Sequence, residues 1–480
     1  MTRKMFREKF PFAPEGLARI RWYGPGLLWM LSAVGTGSIL FTPRVAAAYQ
    51  YELLWLLILV VFFMWVMIRE MARFSIVSGC TMLEGMHTLP GPRNWAVWLI
   101  FVPQLLAASV GIAGLSAVVG SAAGTFLPGG MTVYALATVG LCTLLTTTGR
   151  YLFIEKVSRV LAGALLVITV VAAALVFPGL SEVSPGLAAS WPSDADLYVI
   201  MPWVGTILAG SMGIVWFGYW TATRGYGGGL EGHEKDDEIP AEAEAEDRKA
   251  KTEFQPPELD IYRARAWIRI MTRTALLGVV AGATVICSFL VLGAELLAPE
   301  GLMPEGTNVA SDLTRLYADI WGTTGTWLML AAIFIALGGS VLANQDGWGR
   351  SFADMTLILI RHRRHADTPG FMLGSLRWLE ARTGWQTLER IFLKRLFIVV
   401  ITGLVPALII LLFRDPVEVM SVSGIIAAAH TPFIVLTALL VNQLRLPAAL
   451  KPGWLATISM GLAGLFYLGF GVVYFARFIG

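Results

Sequence analysis

The amino-acid sequence predicts an all-α integral membrane protein, and three observations carry that prediction. Hydrophobic residues make up 56% of the 480 positions and charged residues only 14%, a composition typical of polytopic helical membrane proteins. Windows of about 20 apolar residues, each long enough for one transmembrane helix, recur along the chain. Lys and Arg are concentrated in every second loop between these windows, as expected for a chain that crosses a membrane repeatedly.

The apolar windows predict eleven transmembrane spans. In chain order they lie near residues 24–48, 53–77, 96–124, 131–148, 152–177, 201–222, 267–294, 323–346, 394–413, 417–441 and 452–476. The three cysteines lie in or beside these windows at unrelated spacings, so the sequence predicts neither a disulfide framework nor a metal-ligand pattern.

The distribution of basic residues predicts the orientation of the chain. Lys and Arg precede the first span and follow the second, fourth, sixth, eighth and tenth spans, whereas the loop 179–200 has three acidic residues and no Lys or Arg. Because cytoplasmic loops carry the excess of basic residues, we expect the N-terminus inside and the C-terminus outside, in a bacterial-type cytoplasmic membrane.

The spans and loops together divide the chain into five segments. We expect a cytoplasmic N-terminal segment at 1–23, a first repeat with the sixth helix at 24–222, a flexible acidic cytoplasmic loop at 223–265, helices seven to ten at 266–441, and an extra eleventh helix at 442–480.

The first span is interrupted by Gly35, Thr36, Gly37 and Ser38. Two glycines and two hydroxyl side chains at this depth favour a broken helix, and unwound backbone within a membrane is tolerated only in a protein core or beside a cavity. Transporters use such breaks to present peptide groups to a substrate near the bilayer midplane. The alternative is that these glycines are packing points between intact helices.

The sixth span carries the second expected break. Four glycines interrupt it, namely Gly205, Gly210, Gly213 and Gly218, and Ser211 lies among them. An inverted repeat of five spans pairs the first span with the sixth, so two interrupted helices at this offset point to a substrate site between them.

Polar residues elsewhere at membrane depth have two interpretations each. Asp346, Arg350 and Asp354 follow one another at intervals of four, so they share one helix face and can form a charge ladder, which we interpret as an inner gate or a structural network. Gln104 in the third span either lines a cavity or satisfies a carbonyl freed by Pro103. His430 in the tenth span either relays protons or packs through hydrogen bonds.

Several blocks of the sequence are similar to the Nramp family of divalent metal transporters, which belongs to the amino acid, polyamine and organocation superfamily. They are GPGLLWMLSAVGTGS at 24–38, VSGCTMLEG at 77–85, GRYLFIEKVSRVLAG at 149–163, LKRLFIVVITGLVPALI at 393–409 and GIIAAAHTPF at 424–433. The resemblance implies the LeuT fold, with 5+5 inverted repeats, broken helices one and six, and one extra helix. It also implies transport by alternating access, with no catalytic residues and no cofactor.

The metal-binding motifs of that family are not retained. Where the family has DPGN in helix one, this chain has GTGS, so Gly35 stands at the Asp position and Ser38 at the Asn position. Where the family has MPH in helix six, the alignment places Ile214, Val215 and Trp216. Gly424 stands at the position of a helix-ten Gln. The resemblance therefore implies the fold and transport without implying the family's metal ligands.

Three functional interpretations remain open. A divalent cation such as Mg²⁺ or Mn²⁺ passes largely hydrated, since Mg²⁺ keeps several waters. Alternatively, the substrate is a small amino acid or organic acid held by half-helix N–H groups, or the protein is a sensor on a transporter scaffold. We expect a bilayer, a small inorganic or organic substrate and a possible coupling ion as partners, and no nucleic acid. The expected substrate-site residues are Gly35, Thr36, Gly37, Ser38, Ser211, Met212, Ile214, Trp216 and Gly424.

Overall fold

The computed structural model describes residues 10–24, 26, 29, 35, 37–149, 152–230, 258–361 and 370–479, with only the backbone described at 152–159 and 478–479. These residues form helices and connecting turns, and no strand occurs among them. Thr36 and most of the predicted acidic loop lie outside the described residues.

The first part of the chain contains nine α-helices. They are α1 Thr42–Tyr49, α2 Leu54–Ser78, α3 Met82–His87, α4 Trp95–Gly124, α5 Gly130–Thr148, α6 Leu152–Leu175, α7 Leu180–Val183, α8 Leu197–Thr206 and α9 Ser211–Thr223. A π-helical turn, Gly37–Phe41, precedes α1.

The second part contains nine more. They are α10 Glu258–Leu292, α11 Val309–Trp321, α12 Thr323–Ala332, α13 Gly338–Ile360, α14 Phe371–Thr383, α15 Arg390–Val399, α16 Val405–Leu412, α17 Pro416–Arg445 and α18 Trp454–Ile479. Further π-helical turns continue α10 at Gly293–Leu297, join α12 to α13 at Ile333–Leu337, and join α15 to α16 at Val400–Leu404.

The described helices agree with the predicted spans. Nine are long and apolar enough to cross a membrane, and they correspond to spans two to four and six to eleven. The fifth predicted span corresponds to α6, which is followed by a bend of 96° into 180–187. The first predicted span, 24–48, lies only partly within the described residues, because its N-terminal half is represented by single positions.

Burial separates a central group of helices from a peripheral one. In the sixth and tenth spans 72% and 67% of the most apolar window is buried, compared with 22% for α5 and 28% for α18. Leucines such as Leu141 and Leu465 are about 60% exposed on those outer helices, as expected for a face that contacts lipid. The central helices α4, α8, α9 and α17 therefore form the interior in which a polar site can be enclosed.

An aromatic cluster attaches the N-terminal segment to α10 and to the turn that follows α9. The ring of Trp22 contacts those of Tyr226 and Trp267 at centroid distances of 5.2 and 4.6 Å. The Tyr226 hydroxyl donates to the Trp22 carbonyl and lies 3.0 Å from the Thr274 hydroxyl. Burial raises the pKa of Tyr226 to about 12.

Candidate functional site

The first helix is irregular where the sequence predicts it. Gly35 lies in a bend, and its carbonyl accepts hydrogen bonds from the N–H groups of Ser38 and Ile39 at 3.2 and 3.0 Å. A π-helical turn begins at Gly37, whose carbonyl accepts a 2.6 Å hydrogen bond from the Thr42 hydroxyl. Side-chain and irregular backbone bonds thus satisfy peptide groups that a regular helix would have paired.

The sixth span is broken between α8 and α9. Residues 207–210 connect the two helices, and Leu208 has a left-handed backbone with φ of 62°. The break therefore includes Gly210 but not the other three glycines that the sequence suggested, which is a correction to the predicted position. Gly205 and Gly218 lie within the helices, where an added Cβ would meet the carbonyl oxygens of neighbouring helices.

The two breaks contact each other directly. A Cβ atom added at Gly37 would lie 2.1 Å from the carbonyl oxygen of Thr206, the last residue of α8. One side of this contact is tightly closed, since the indole N–H of Trp203 donates to the Thr42 hydroxyl at 3.0 Å and both side chains are fully buried. The breaks thus meet in the centre of the protein, below a packed layer formed by α1 and α8.

A cavity of about 140 Å³ lies on the other side of this contact. It is bounded by both helix breaks and by α4, α9, α13 and α17. Its lining residues include Trp29, Gly35, Gly37, Gln104, Thr206, Gly210, Ser211, Met212, Trp216, Trp220, Ser340, Asn344, Trp348, Met420 and Ser423.

The described cavity wall contains polar groups but no formal charge. Among the described lining residues there is no Asp, Glu, Lys, Arg or His, and the polar groups are hydroxyls, amides and peptide groups. Four tryptophans and two methionines contribute apolar surface, together with alanines, Ile112 and Leu115. Throughout the described part of the chain, no cluster of three or more His, Cys, Asp or Glu side chains is arranged to hold a metal ion. A cation in this cavity would therefore meet neutral oxygen atoms and aromatic faces.

Gln104 connects three helices at the edge of the cavity. Its side-chain amide nitrogen lies 2.6 Å from the Ser211 hydroxyl on α9 and 2.5 Å from Nδ1 of His430 on α17. The other ring nitrogen of His430 lies 3.0 Å from the Leu99 carbonyl oxygen. The Gln104 carbonyl oxygen is buried and has no hydrogen-bond partner among the described residues. An unpaired buried acceptor costs about 1–3 kcal/mol.

The structure brings together five of the nine predicted substrate-site residues. Gly35, Gly37, Ser211, Met212 and Trp216 line the cavity. Thr36 lies outside the described residues.

The three other predicted residues do not line the cavity. Ser38 and Ile214 are buried in the protein interior, outside the described lining of the cavity. Gly424 contacts α8, where a Cβ would lie 2.7 Å from Pro202 Cα, so the lack of a side chain lets two helices approach closely.

The sequence did not predict two of the four tryptophans in the wall, Trp29 and Trp348, or the residues that α13 contributes. Ser340 and Asn344 of α13 line the cavity, although neither is among the residues predicted to form it. Trp29, Trp348 and Met420 had no signal in the sequence, because nothing in a uniformly apolar window marks the face that turns inward.

A charged cluster lies beside the cavity. A smaller cavity of about 30 Å³ shares Trp216 and Trp220 with the central one and is also lined by Arg350 and Asp354. Asp346 pairs with Arg350, as the spacing predicts, and with Lys394 Nζ at 2.6 Å. Asp354 does not continue this ladder, because Arg390 of α15 holds both its oxygens, at 2.5 and 2.9 Å.

The opposite side of the site is held by different pairs. Arg44 of α1 donates to the Glu305 carboxylate at 2.7 Å, and the Tyr51 hydroxyl donates to Glu295 at 2.8 Å. These bonds connect the end of the first span to the segment after α10. The site thus adjoins a smaller cavity on the α9 side. On the α1 side it is covered by segments that hydrogen bonds and an ion pair hold together.

Comparisons with known proteins agree with this architecture. A family model described as natural resistance-associated macrophage protein-like matches residues 26–345. An uncharacterized protein of Pasteurella multocida (strain Pm70) is 26% identical over 184 residues, which cover 38% of this chain and 40% of that protein. The chain thus matches less than half the length of this curated relative.

Solved structures of a manganese transporter from Eremococcus coleocola share the fold. One mutant form superposes with a TM-score of 0.62 at 14% identity, covering 97% of this chain and 89% of the other. The complex of that transporter with an aromatic bis-isothiourea compound has a TM-score of 0.60, with coverages of 97% and 90%. At this identity the likeness shows the fold, which is the predicted all-α transporter architecture with broken first and sixth helices.

Proposed function

The chain belongs to the natural resistance-associated macrophage protein-like family, and we propose that it is a secondary-active transporter that moves a divalent cation such as Mg²⁺ or Mn²⁺ by alternating access. One observation carries the proposal: two interrupted helices meet at one cavity, and residues of both breaks line the same small volume. Broken helices in paired positions are the structural mark of a transport site.

The chemistry of the cavity favours a cation that keeps much of its water. Direct coordination of a divalent cation requires several oxygens, and carboxylates usually supply part of them. The described lining residues offer hydroxyls, amides and backbone carbonyls instead. Mg²⁺ dehydrates reluctantly and keeps several waters, so neutral groups that hydrogen-bond to those waters suit Mg²⁺ better than Mn²⁺.

The arrangement of the two sides supports alternating access. On the α1 side, Trp203, Thr42 and Gly37 are linked by hydrogen bonds, and Arg44 pairs with Glu305. On the α9 side the smaller cavity adjoins the central one. We propose that this state faces the α9 side, that this side is cytoplasmic, and that breaking the α1-side bonds opens the other.

An aromatic surface favours a second candidate, a small organic cation. Trp29, Trp216, Trp220 and Trp348 line the cavity. Indole faces attract organic cations that carry little hydration. A substrate of this class would use the tryptophan faces as its principal contacts, whereas a hydrated metal would use the polar groups of the breaks.

Uptake into proteoliposomes containing the purified chain distinguishes the candidates. We expect saturable Mg²⁺ uptake that exceeds Mn²⁺ uptake, measured with trapped fluorescent indicators. Protein-free vesicles serve as the control. Uptake of an organic amine without uptake of either metal would overturn the metal proposal. Preference for Mn²⁺ at low concentration would contradict the argument from hydration. A pH gradient applied across the same vesicles tests proton coupling.

A further inference from the structure

The side chain of Gln104 has a defined orientation. The Leu99 carbonyl can only accept, so His430 Nε2 donates to it, and in the neutral ring Nδ1 is then an acceptor. Only the amide nitrogen of Gln104 can donate to that acceptor, and the Ser211 hydroxyl oxygen accepts the second N–H of the same group. Both amide protons are therefore used, which turns the carbonyl oxygen away from these partners.

The Gln104 carbonyl oxygen is the atom of this side chain that has no partner among the described residues. It belongs to a side chain that lines the central cavity, it is fully buried, and no donor reaches it among the described residues. An unpaired buried acceptor is unfavourable, and here it belongs to a side chain that lines the space that a substrate would fill. Since nearly all buried polar groups in native proteins have a hydrogen-bond partner, this oxygen requires a specific explanation.

We propose that the Gln104 carbonyl oxygen accepts a hydrogen bond from the transported substrate, and that His430 is the positioning residue that keeps this oxygen free. The proposal rests on the proposed function and adds a specificity-determining residue on α4, outside the two broken helices. The matching group on the substrate is a hydrogen-bond donor: a water molecule held by Mg²⁺ or Mn²⁺, or the N–H of an organic cation.

The nature of this group also predicts a preference among metals. An amide oxygen accepts a hydrogen bond from metal-bound water without a negative charge that would draw the metal into direct contact. A carboxylate at the same position would favour direct coordination of ions that lose water more easily than Mg²⁺ does. Gln104 thus favours hydrated Mg²⁺ over ions that bind directly.

His430 contributes through Gln104 rather than by contact with the substrate. It is absent from the described lining of the cavity, and it contacts the amide from α17. Without the ring nitrogen as acceptor, the amide can rotate and present its nitrogen to the cavity. Loss of His430 should therefore weaken the same interaction that loss of Gln104 removes.

The experiment compares Gln104→Leu, Gln104→Glu, His430→Leu and the double variant Gln104→Leu/His430→Leu in proteoliposomes. For Mg²⁺ we expect Gln104→Leu to raise KM about tenfold or more, as for a lost hydrogen bond to a metal-bound water. Gln104→Glu should shift the ratio of Mn²⁺ to Mg²⁺ uptake towards Mn²⁺ by a similar factor. The double variant should have the same Mg²⁺ KM as Gln104→Leu alone, because both changes act on the same interaction.

Gln345 provides a matched control. It is also a fully buried glutamine whose amide nitrogen makes two hydrogen bonds, to Thr143 and Thr402, and whose carbonyl oxygen has no partner among the described residues. Unlike Gln104, it does not belong to the described lining of the cavity. Gln345→Leu should change the melting temperature without changing the Mg²⁺ KM or the metal ratio.

Two results would overturn the proposal. One is a wild-type KM and metal ratio in Gln104→Leu. The other is the same change in Gln345→Leu, since a general structural defect would then explain both.

The Gln104 proposal and the proposed function can fail separately. If the wild type moves an organic amine and no metal, the proposed function fails, and the amine KM of Gln104→Leu decides the role of Gln104. If the wild type moves none of these solutes and gains no thermal stability from MgCl₂, MnCl₂ or the amine, both proposals are wrong.

Discussion

The contact between the two helix breaks predicts opposite outcomes for two neighbouring glycines. A Cβ added at Gly37 would lie 2.1 Å from the Thr206 carbonyl oxygen and 2.7 Å from its carbonyl carbon. Among the described residues, a Cβ added at Gly35 would meet only the Ser340 hydroxyl, at 3.5 Å, which is an ordinary contact. Gly37→Ala should therefore disturb the site, whereas Gly35→Ala should be accommodated.

The destabilisation expected for Gly37→Ala follows from the backbone movement that the added Cβ requires. Real Cβ atoms essentially never approach another atom within 3.0 Å, so relieving the contact at Gly37 requires the two backbones to separate by about 1 Å. The new Cβ is fixed to the backbone of residue 37 and the Thr206 carbonyl is itself backbone, so no side-chain rotation can relieve the contact. Overpacking of this kind costs about 1–3 kcal/mol. A displacement of about 1 Å at a site can lower its rate about 100-fold.

Transport and thermal stability should be measured on the same preparations. We expect Gly37→Ala to lower the melting temperature by about 5 °C and to reduce uptake of the transported solute to near background. Gly35→Ala should keep wild-type stability and measurable uptake. A stable, fully active Gly37→Ala protein would show that the two breaks separate freely, which would refute the role assigned to their contact.

Two further predictions concern charged and titratable groups. Asp346→Asn should lower the free energy of unfolding by about 3 kcal/mol, because it leaves two basic partners of a buried carboxylate unpaired. Asp319→Asn, in an exposed pair, should have little effect in the same melting assay. The pKa of Tyr226 is about 12 in the folded protein and 10.0 when unperturbed, so its contribution is complete below pH 10 and is lost as the pH rises towards 12. Between pH 9 and 11.5 the free energy of unfolding should fall by about 2 kcal/mol less in Tyr226→Phe than in the wild type, as measured by melting curves. Equal decreases in the two proteins would contradict this prediction.

Much of the fold could be predicted because its causes are local. A membrane helix needs a long apolar window, and nine such windows coincide with described helices. The break near Gly35 and Gly37 was predictable, since small and hydroxyl residues interrupt an otherwise uniform window. The break in the sixth span was predicted in the right helix, but of the four glycines expected to form it only Gly210 lies in the break.

That error has a physical cause. Glycine permits a close approach between helices as well as an irregular backbone, and the sequence does not separate these uses. Gly205 and Gly218 serve helix contacts, whereas Leu208, a residue with no preference for positive φ, occupies the left-handed position at the break. Tertiary packing imposes that conformation, so local propensity could not reveal it.

The wall of the cavity was less predictable for a related reason. The rotation of a buried helix about its axis depends on all its neighbours, so Asn344 and Ser423 could be seen as polar but not assigned to a shared space. The ion pair of Asp354 with Arg390 joins α13 to α15 across 36 positions of sequence. Spacing along one helix predicts ion pairs within that helix, but it does not predict pairs between two helices.

The uncharged wall of the cavity has an electrical consequence. No carboxylate among its described lining residues can neutralise a bound dication. The loaded protein would therefore carry the full double charge of its cargo through the bilayer, and the empty protein would return without it. Moving one elementary charge through 100 mV corresponds to about 2.3 kcal/mol, and a dication to about twice that. In such a carrier, the voltage of an energised cell would itself pull the ion inward.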